Sequence, residues 1–151
     1  MKEYKHCTLC PRGCGVDRTA GQRGVCGASD EIRVGRAALH QWEEPPISGT
    51  RGSGTVFFVH CPLGCVFCQN RTISRRGEGG KVVTVPQLAQ TFLKLQEQGA
   101  HNINLVTATH YVPSVGQALE YARANGLVIP VVYNTSVYET VDTLRRLDGL
   151  V

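Results

Sequence analysis

The feature that most limits what this chain can become is the stretch Val56-Phe57-Phe58-Val59-His60-Cys61-Pro62-Leu63-Gly64-Cys65-Val66-Phe67-Cys68. Its first four residues are β-branched or aromatic, the composition of a buried strand. The strand runs straight into Cys61, Cys65 and Cys68 at C-x3-C-x2-C, a spacing that lets three thiolates meet on one inorganic centre. A [4Fe-4S] cluster normally takes four cysteines, so three leave one iron open to a ligand from outside the chain. The alternative is a structural zinc site that borrows a fourth ligand such as His60. Zinc sites are usually closed, tetrahedral and built from C-x2-C pairs, which this spacing matches less well. The cluster is the better reading.

Four more cysteines, Cys7, Cys10, Cys14 and Cys26, stand at C-x2-C-x3-C-x11-C in a stretch rich in Gly, Arg and Thr. Such a stretch has too little apolar material to pack a core, so residues 1–36 read as a knuckle whose folding energy comes from a metal. Zinc and a second Fe–S cluster fit its four thiolates equally. All seven cysteines fall within the first 68 residues, a clustering that suits metal binding better than a secreted disulfide framework. The N-terminus carries no apolar signal-peptide core, and no apolar run approaches a membrane span. Together these point to a reducing cytoplasm and no membrane partner. A formal charge of +4 without any long basic run gives no nucleic-acid groove. Arg71, Arg75, Arg76 and Lys81 gather after the cluster loop, and a solvated loop face accounts for them better than an anion site.

Residues 37–53 read as a connector. Pro45 and Pro46 forbid a continuing helix, Trp42 is expected to pack between knuckle and barrel, and Gly49, Gly52 and Gly54 turn the backbone or let it pass close to a ligand. Residues 75–81 form a glycine-rich bridge. Thr84 is an N-cap for a helix ending at Gly99, and residues 103–107 are a second strand. Pro113 or Ser114 opens a second helix, with Val115, Leu119, Tyr121 and Ala122 on its apolar positions. Residues 127–133 form a third strand and 138–147 a third helix. This alternation predicts an α/β fold of right-handed parallel βαβ units.

A C-x3-C-x-aromatic-C loop after a buried strand, with Phe67 in the aromatic place, resembles the cluster loop of the radical S-adenosylmethionine (radical SAM) superfamily. Gly49-Thr50-Arg51-Gly52-Ser53-Gly54-Thr55-Val56-Phe57-Phe58 and Cys68-Gln69-Asn70 are similar to the branch containing the pyruvate formate-lyase activating enzymes. That resemblance implies a partial (β/α)6 barrel, of which residues 54–151 supply the first half, so the chain reads as truncated. It also implies a [4Fe-4S] cluster whose open iron is chelated by SAM, and reductive cleavage of SAM to a 5'-deoxyadenosyl radical for hydrogen abstraction. Flavodoxin or ferredoxin is the implied electron donor, and a glycyl radical enzyme the implied substrate. Ligands in such sheets sit beyond the carboxyl ends of the strands, which makes Thr107, Thr109 and Asn134, with Phe67, the expected cofactor-binding residues. One departure stands out. The Gly-Gly-Glu run that many members carry after the second strand is here Thr107-Ala108-Thr109-His110, which leaves the partner of SAM's amino group unassigned. A non-catalytic zinc module for protein interaction, or an inactive fragment of the enzyme, is the competing reading.

Overall fold

The computed structural model describes residues 1–151, and no helix is long and apolar enough to cross a membrane. The elements in chain order are α1 (Lys2–Lys5), β1 (Ile32–His40), α2 (Pro45–Ser48), β2 (Ser53–Phe58), α3 (Arg71–Ser74), β3 (Lys81–Val83), α4 (Val85–Glu97), β4 (Ile103–Val106), α5 (Val112–Ala124), β5 (Val131–Asn134) and α6 (Val141–Leu144). They build one five-stranded sheet in the order β3-β1-β2-β4-β5. Strands β2, β4 and β5 run parallel, with Val56 opposite Leu105 and Leu105 opposite Tyr133. This is the predicted βαβαβ unit.

The sheet as a whole is mixed, because at the other edge β1 runs antiparallel to β2, and β3 antiparallel to β1. Strand β1 crosses the expected division between residues 36 and 37. Its sequence Ile-Arg-Val-Gly-Arg-Ala-Ala-Leu-His alternates poorly, and its register shifts between Val34 and Arg36, so no clean period announces it. Trp42 is no packing anchor. It lies in the turn after β1 and is 88% exposed.

Helix α4 starts where its cap says it should. Thr84 and Gln87 form a reciprocal capping box, Gln87 N–H to Thr84 Oγ1 at 3.3 Å and Thr84 N–H to Gln87 Oε1 at 2.8 Å, satisfying two donors that a helix end otherwise leaves bare. The helix stops before Gly99, whose φ of +87° only glycine adopts freely. Leu88, Phe92 and Leu95 of α4 and Val115, Leu119 and Ala122 of α5 pack on Val56, Phe58, Ile103, Leu105 and Val131, each such side chain stabilising the fold by about 1.5–3 kcal/mol through burial. Tyr121, expected on that face, is exposed instead.

The third strand is shorter than expected because a side chain has taken over its ladder bonds. Gln96 Oε1 accepts from the Val128 and Ile129 N–H groups at 2.7 and 3.2 Å, and Arg123 donates to the Leu127 and Ile129 carbonyls. Pro130 has no N–H to give. Pairing therefore begins at Val131. The third helix is likewise brief, with Thr140 capping α6 and a 3-10 turn over Arg145–Leu147.

Candidate metal centre

Strand β2 delivers its carboxyl end into the cysteine loop, and the delivery is strained on purpose. His60 takes a φ of +74°, uncommon for any residue with a Cβ. The loop is fixed on both sides of it, Val59 N–H bonding the Arg33 carbonyl at 2.9 Å and His60 N–H the Ile73 carbonyl at 2.8 Å. The His60 ring fills space that glycines leave: a Cβ on Gly77 would lie 2.4 Å from its Cε1, and one on Gly27 3.2 Å from its Nδ1. Burial, aided by Arg33, holds the His60 pKa below its usual range.

Cys61, Cys65 and Cys68 are all free thiols, each partly exposed. Cys68 Sγ accepts a hydrogen bond from Ser74 Oγ at 3.3 Å, which places α3 behind the loop. Cys61 and Cys68 open onto a cavity of about 60 Å³ shared with Phe57, Asn70, Ser74 and Thr107. A cleft of about 280 Å³ adjoins it through Phe57, Asn70 and Ile73. The exposed positions of Arg71, Arg75, Arg76 and Lys81 agree with a solvated face.

The four residues expected to bind the cofactor fall in four different places. Thr107 joins Cys61 and Cys68 around the smaller cavity. Asn134 ends β5 in register with Val106. Thr109 is fully buried and donates to Glu139 Oε1 at 2.6 Å. Phe67 is 85% exposed and lines neither cavity.

Two polar residues, one beyond the end of β5 and one inside β4, were not singled out from sequence. Glu139 Oε1 accepts from Thr109, Tyr133 and Thr135 while its Oε2 is buried with no partner. Asn104, in the middle of β4, is completely buried with neither amide atom bonded. A buried amide or carboxylate oxygen without a partner is costly, and neither residue lines the two cavities beside the thiols. The only hint was an Asn inside an apolar strand. Burial pushes Tyr133 up, the hydrogen bond with Thr109 partly opposing it, so its hydroxyl stays protonated and donates to Glu139.

His110 lies behind the cluster loop. Its Nε2–H donates to the Val59 carbonyl at 2.8 Å, and burial lowers its pKa to about 3, so it is a neutral structural hydrogen-bonder holding the end of β2. Burial likewise raises the pKa of Tyr111 beside it.

The knuckle docks on this same rim. Tyr4 Oη and Ser114 Oγ are 2.8 Å apart, Arg146 pairs with Glu3 at 2.9 Å, Thr140 N–H reaches the Leu9 carbonyl at 3.5 Å, and the Arg12 guanidinium lies 5.6 Å from the Tyr138 ring centre. Cys7, Cys10, Cys14 and Cys26 line one cavity within it, and burial pushes the Cys10 and Cys26 thiols up. No three His, Cys, Asp or Glu side chains anywhere are close enough to share one metal ion.

The cluster loop puts three cysteines free of disulfides on the end of β2, the donor chemistry its spacing implies, although their sulfurs do not converge here on one ion. Comparison with known proteins agrees. No solved structure matches the chain. An uncharacterized protein of Methanocaldococcus jannaschii is 30% identical over 155 aligned positions, covering 98% of this chain and 44% of that protein, so the chain spans less than half the length of this curated relative. The sequence profile of the radical SAM superfamily matches residues 55–150, and the chain belongs to that superfamily.

Proposed function

We propose that the protein is a radical SAM iron–sulfur enzyme in which Cys61, Cys65 and Cys68 hold a [4Fe-4S] cluster and SAM lies over the carboxyl ends of β2, β4 and β5. The observation that carries this reading is the loop itself, three free thiols at C-x3-C-x2-C on the end of a central parallel strand. When bound, cluster and SAM together supply a one-electron cleavage of the sulfonium, giving methionine and a 5'-deoxyadenosyl radical for hydrogen abstraction.

The chain's own residues orient and shield. Ser74 donates to Cys68 Sγ, a contact of the kind that tunes cluster potential. Thr107 beside the thiols would supply a hydroxyl to the polar groups of a bound cofactor. The unpartnered Glu139 Oε2 offers the carboxylate that the missing Gly-Gly-Glu run would otherwise provide for an ammonium. The parallel order β2-α4-β4-α5-β5 supports reading this unit as part of the partial (β/α)6 barrel of the superfamily.

The similarity of residues 49–58 and 68–70 to the pyruvate formate-lyase activating enzymes supports a glycine in a partner protein as the substrate, with flavodoxin or ferredoxin as donor in a reducing cytoplasm. The substrate class is carried by analogy of fold and motif. Anaerobic reconstitution followed by iron and sulfide analysis tests the cluster. The reading expects at least three irons at the loop, lost in Cys65→Ala; zinc in place of iron, or a cluster indifferent to Cys65→Ala, contradicts it.

A further inference from the structure

The N-terminal region has no core of its own, yet it buries a cation. Arg18 is 1% exposed. Its Nη1 donates to the His110 carbonyl at 2.6 Å, its Nε to the Ser29 carbonyl at 3.0 Å, and its guanidinium lies 4.4 Å from the Tyr4 ring centre. No carboxylate meets it, since the ion pairs join Arg76 to Glu78, Arg145 to Asp142 and Arg146 to Glu3. Carbonyls and rings solvate a guanidinium without cancelling its charge, and a buried charge lacking a counter-charge is strongly unfavourable. The acid-forming group beside it is a thiol, Cys7 Sγ at 3.9 Å from Nη1.

Around this guanidinium lies a cavity of about 20 Å³ whose lining includes Cys7, Cys10, Cys14, Cys26 and His110, room for one small species on the measure by which a water needs roughly 10–15 Å³. Three details mark it as built. A Cβ on Gly24 would stand 2.9 Å from Cys14 Sγ, so only glycine leaves that sulfur its place. The Val25 N–H points at the same sulfur at 3.5 Å, the backbone donor that metal-bound thiolates attract. His110, 2% exposed, has its Nε2–H committed to Val59 and its Nδ1 without any partner.

We propose that Cys7, Cys10, Cys14 and Cys26 hold a second metal–thiolate centre, separate from the one at Cys61, Cys65 and Cys68, whose negative charge neutralises Arg18. The four sulfurs line the cavity without yet meeting, and residues 7–31 form neither strand nor helix, so side-chain rotation closes them on the metal. Loading exchanges thiol protons for metal, the protons leaving to solvent. The centre also braces the other loop. Pro62, next to Cys61, lines the same cavity, and His110 accepts from Arg18 at its carbonyl while its ring donates to Val59.

Zinc and an iron–sulfur cluster share this four-thiolate chemistry, and elemental analysis tells them apart. The triple variant Cys61→Ser, Cys65→Ser, Cys68→Ser, purified without oxygen, retains either zinc without sulfide or iron with matching sulfide. Adding Cys14→Ser and Cys26→Ser removes it. Because the first variant lacks the SAM cluster, failure of that cluster leaves this result untouched. A triple variant free of metal, or metal unaffected by the two added substitutions, overturns the proposal. Alkylation mapping of the unaltered protein guards against misfolded variants: Cys7, Cys10, Cys14 and Cys26 are shielded until a chelator is added, and equal labelling with and without chelator also overturns it. Arg18→Gln weakens metal retention against a chelator by about 10–100-fold, as loss of a supporting group around a metal does, and Arg18→Lys restores part of it. No change in retention in Arg18→Gln overturns the counter-charge role.

Discussion

Residues 7–31 and the unit made by β2 with residues 81–134 are held together by different forces. In the second region α4 and α5 cover one face of β2, β4 and β5, and the side chains between them are completely buried. Apolar area removed from water supplies that stability, and nothing bound is needed. The first region has turns, four thiols and a buried guanidinium, with backbone bonds such as Cys7 N–H to the Val16 carbonyl and Gly15 N–H to the Cys7 carbonyl as its main internal order. One region is a scaffold; the other, on the proposal above, is a clasp closed by a metal. The cluster loop lies at their boundary, tied to the sheet through Val59 and to the clasp through His110 and Pro62.

The largest effect that separates the two comes from removing metal. Metal affinity in four-thiolate sites reaches roughly 10 kcal/mol or more and is spent on folding. Chelation therefore exposes residues 7–31 to protease while amides of β2, β4 and α5 keep their protection from hydrogen exchange. Simultaneous loss of both would break the division. The reciprocal substitution, Phe92→Ala in α4, costs about 3–5 kcal/mol. Denaturant melting followed by far-UV circular dichroism measures it, and a loss under about 1 kcal/mol would move the core elsewhere.

A smaller effect sharpens the boundary. Folded His110 titrates near 3 against an ordinary 6.5, so the unfolded chain takes up a proton that the folded chain refuses. Its contribution is fully present above pH 6.5 and is lost as pH falls from 6.5 towards 3, at no more than about 1.4 kcal/mol per pH unit. His110→Gln flattens the stability profile in that window, and an unchanged slope would assign the acid sensitivity to another group. The smallest effect lies wholly within the scaffold. Thr84→Ala removes one half of the α4 capping box and destabilises by about 1 kcal/mol, with metal content unchanged.

The same division explains what the sequence disclosed. The scaffold was legible because its signals are local and periodic: Thr84 with Gln87 at the start of α4, Gly99 and Gly126 after the helices, and apolar runs at β2 and β4. Strand β1 was hidden by Arg33, Gly35 and Arg36 inside it, and β3 by having only three residues. The shortening of β5 depends on Gln96, thirty-odd residues away, which no local pattern contains. At the site, cysteine spacing supplied the two proposed ligand sets, which this structure does not bring together on one ion. Arg18, Asn104 and Glu139 were illegible because their significance is an unmet partner, and partners are known only once the chain is folded. Trp42 erred the other way, a large aromatic expected to pack that the fold leaves in water.

Electron paramagnetic resonance of the reconstituted, reduced protein tests the account's core most directly, recorded with and without SAM. The account predicts a [4Fe-4S] signal that shifts on adding SAM and disappears, together with the SAM response, in Cys61→Ala, Cys65→Ala or Cys68→Ala. A cluster signal indifferent to SAM, or one that survives loss of all three of these thiols as the sole SAM-responsive species, would contradict it.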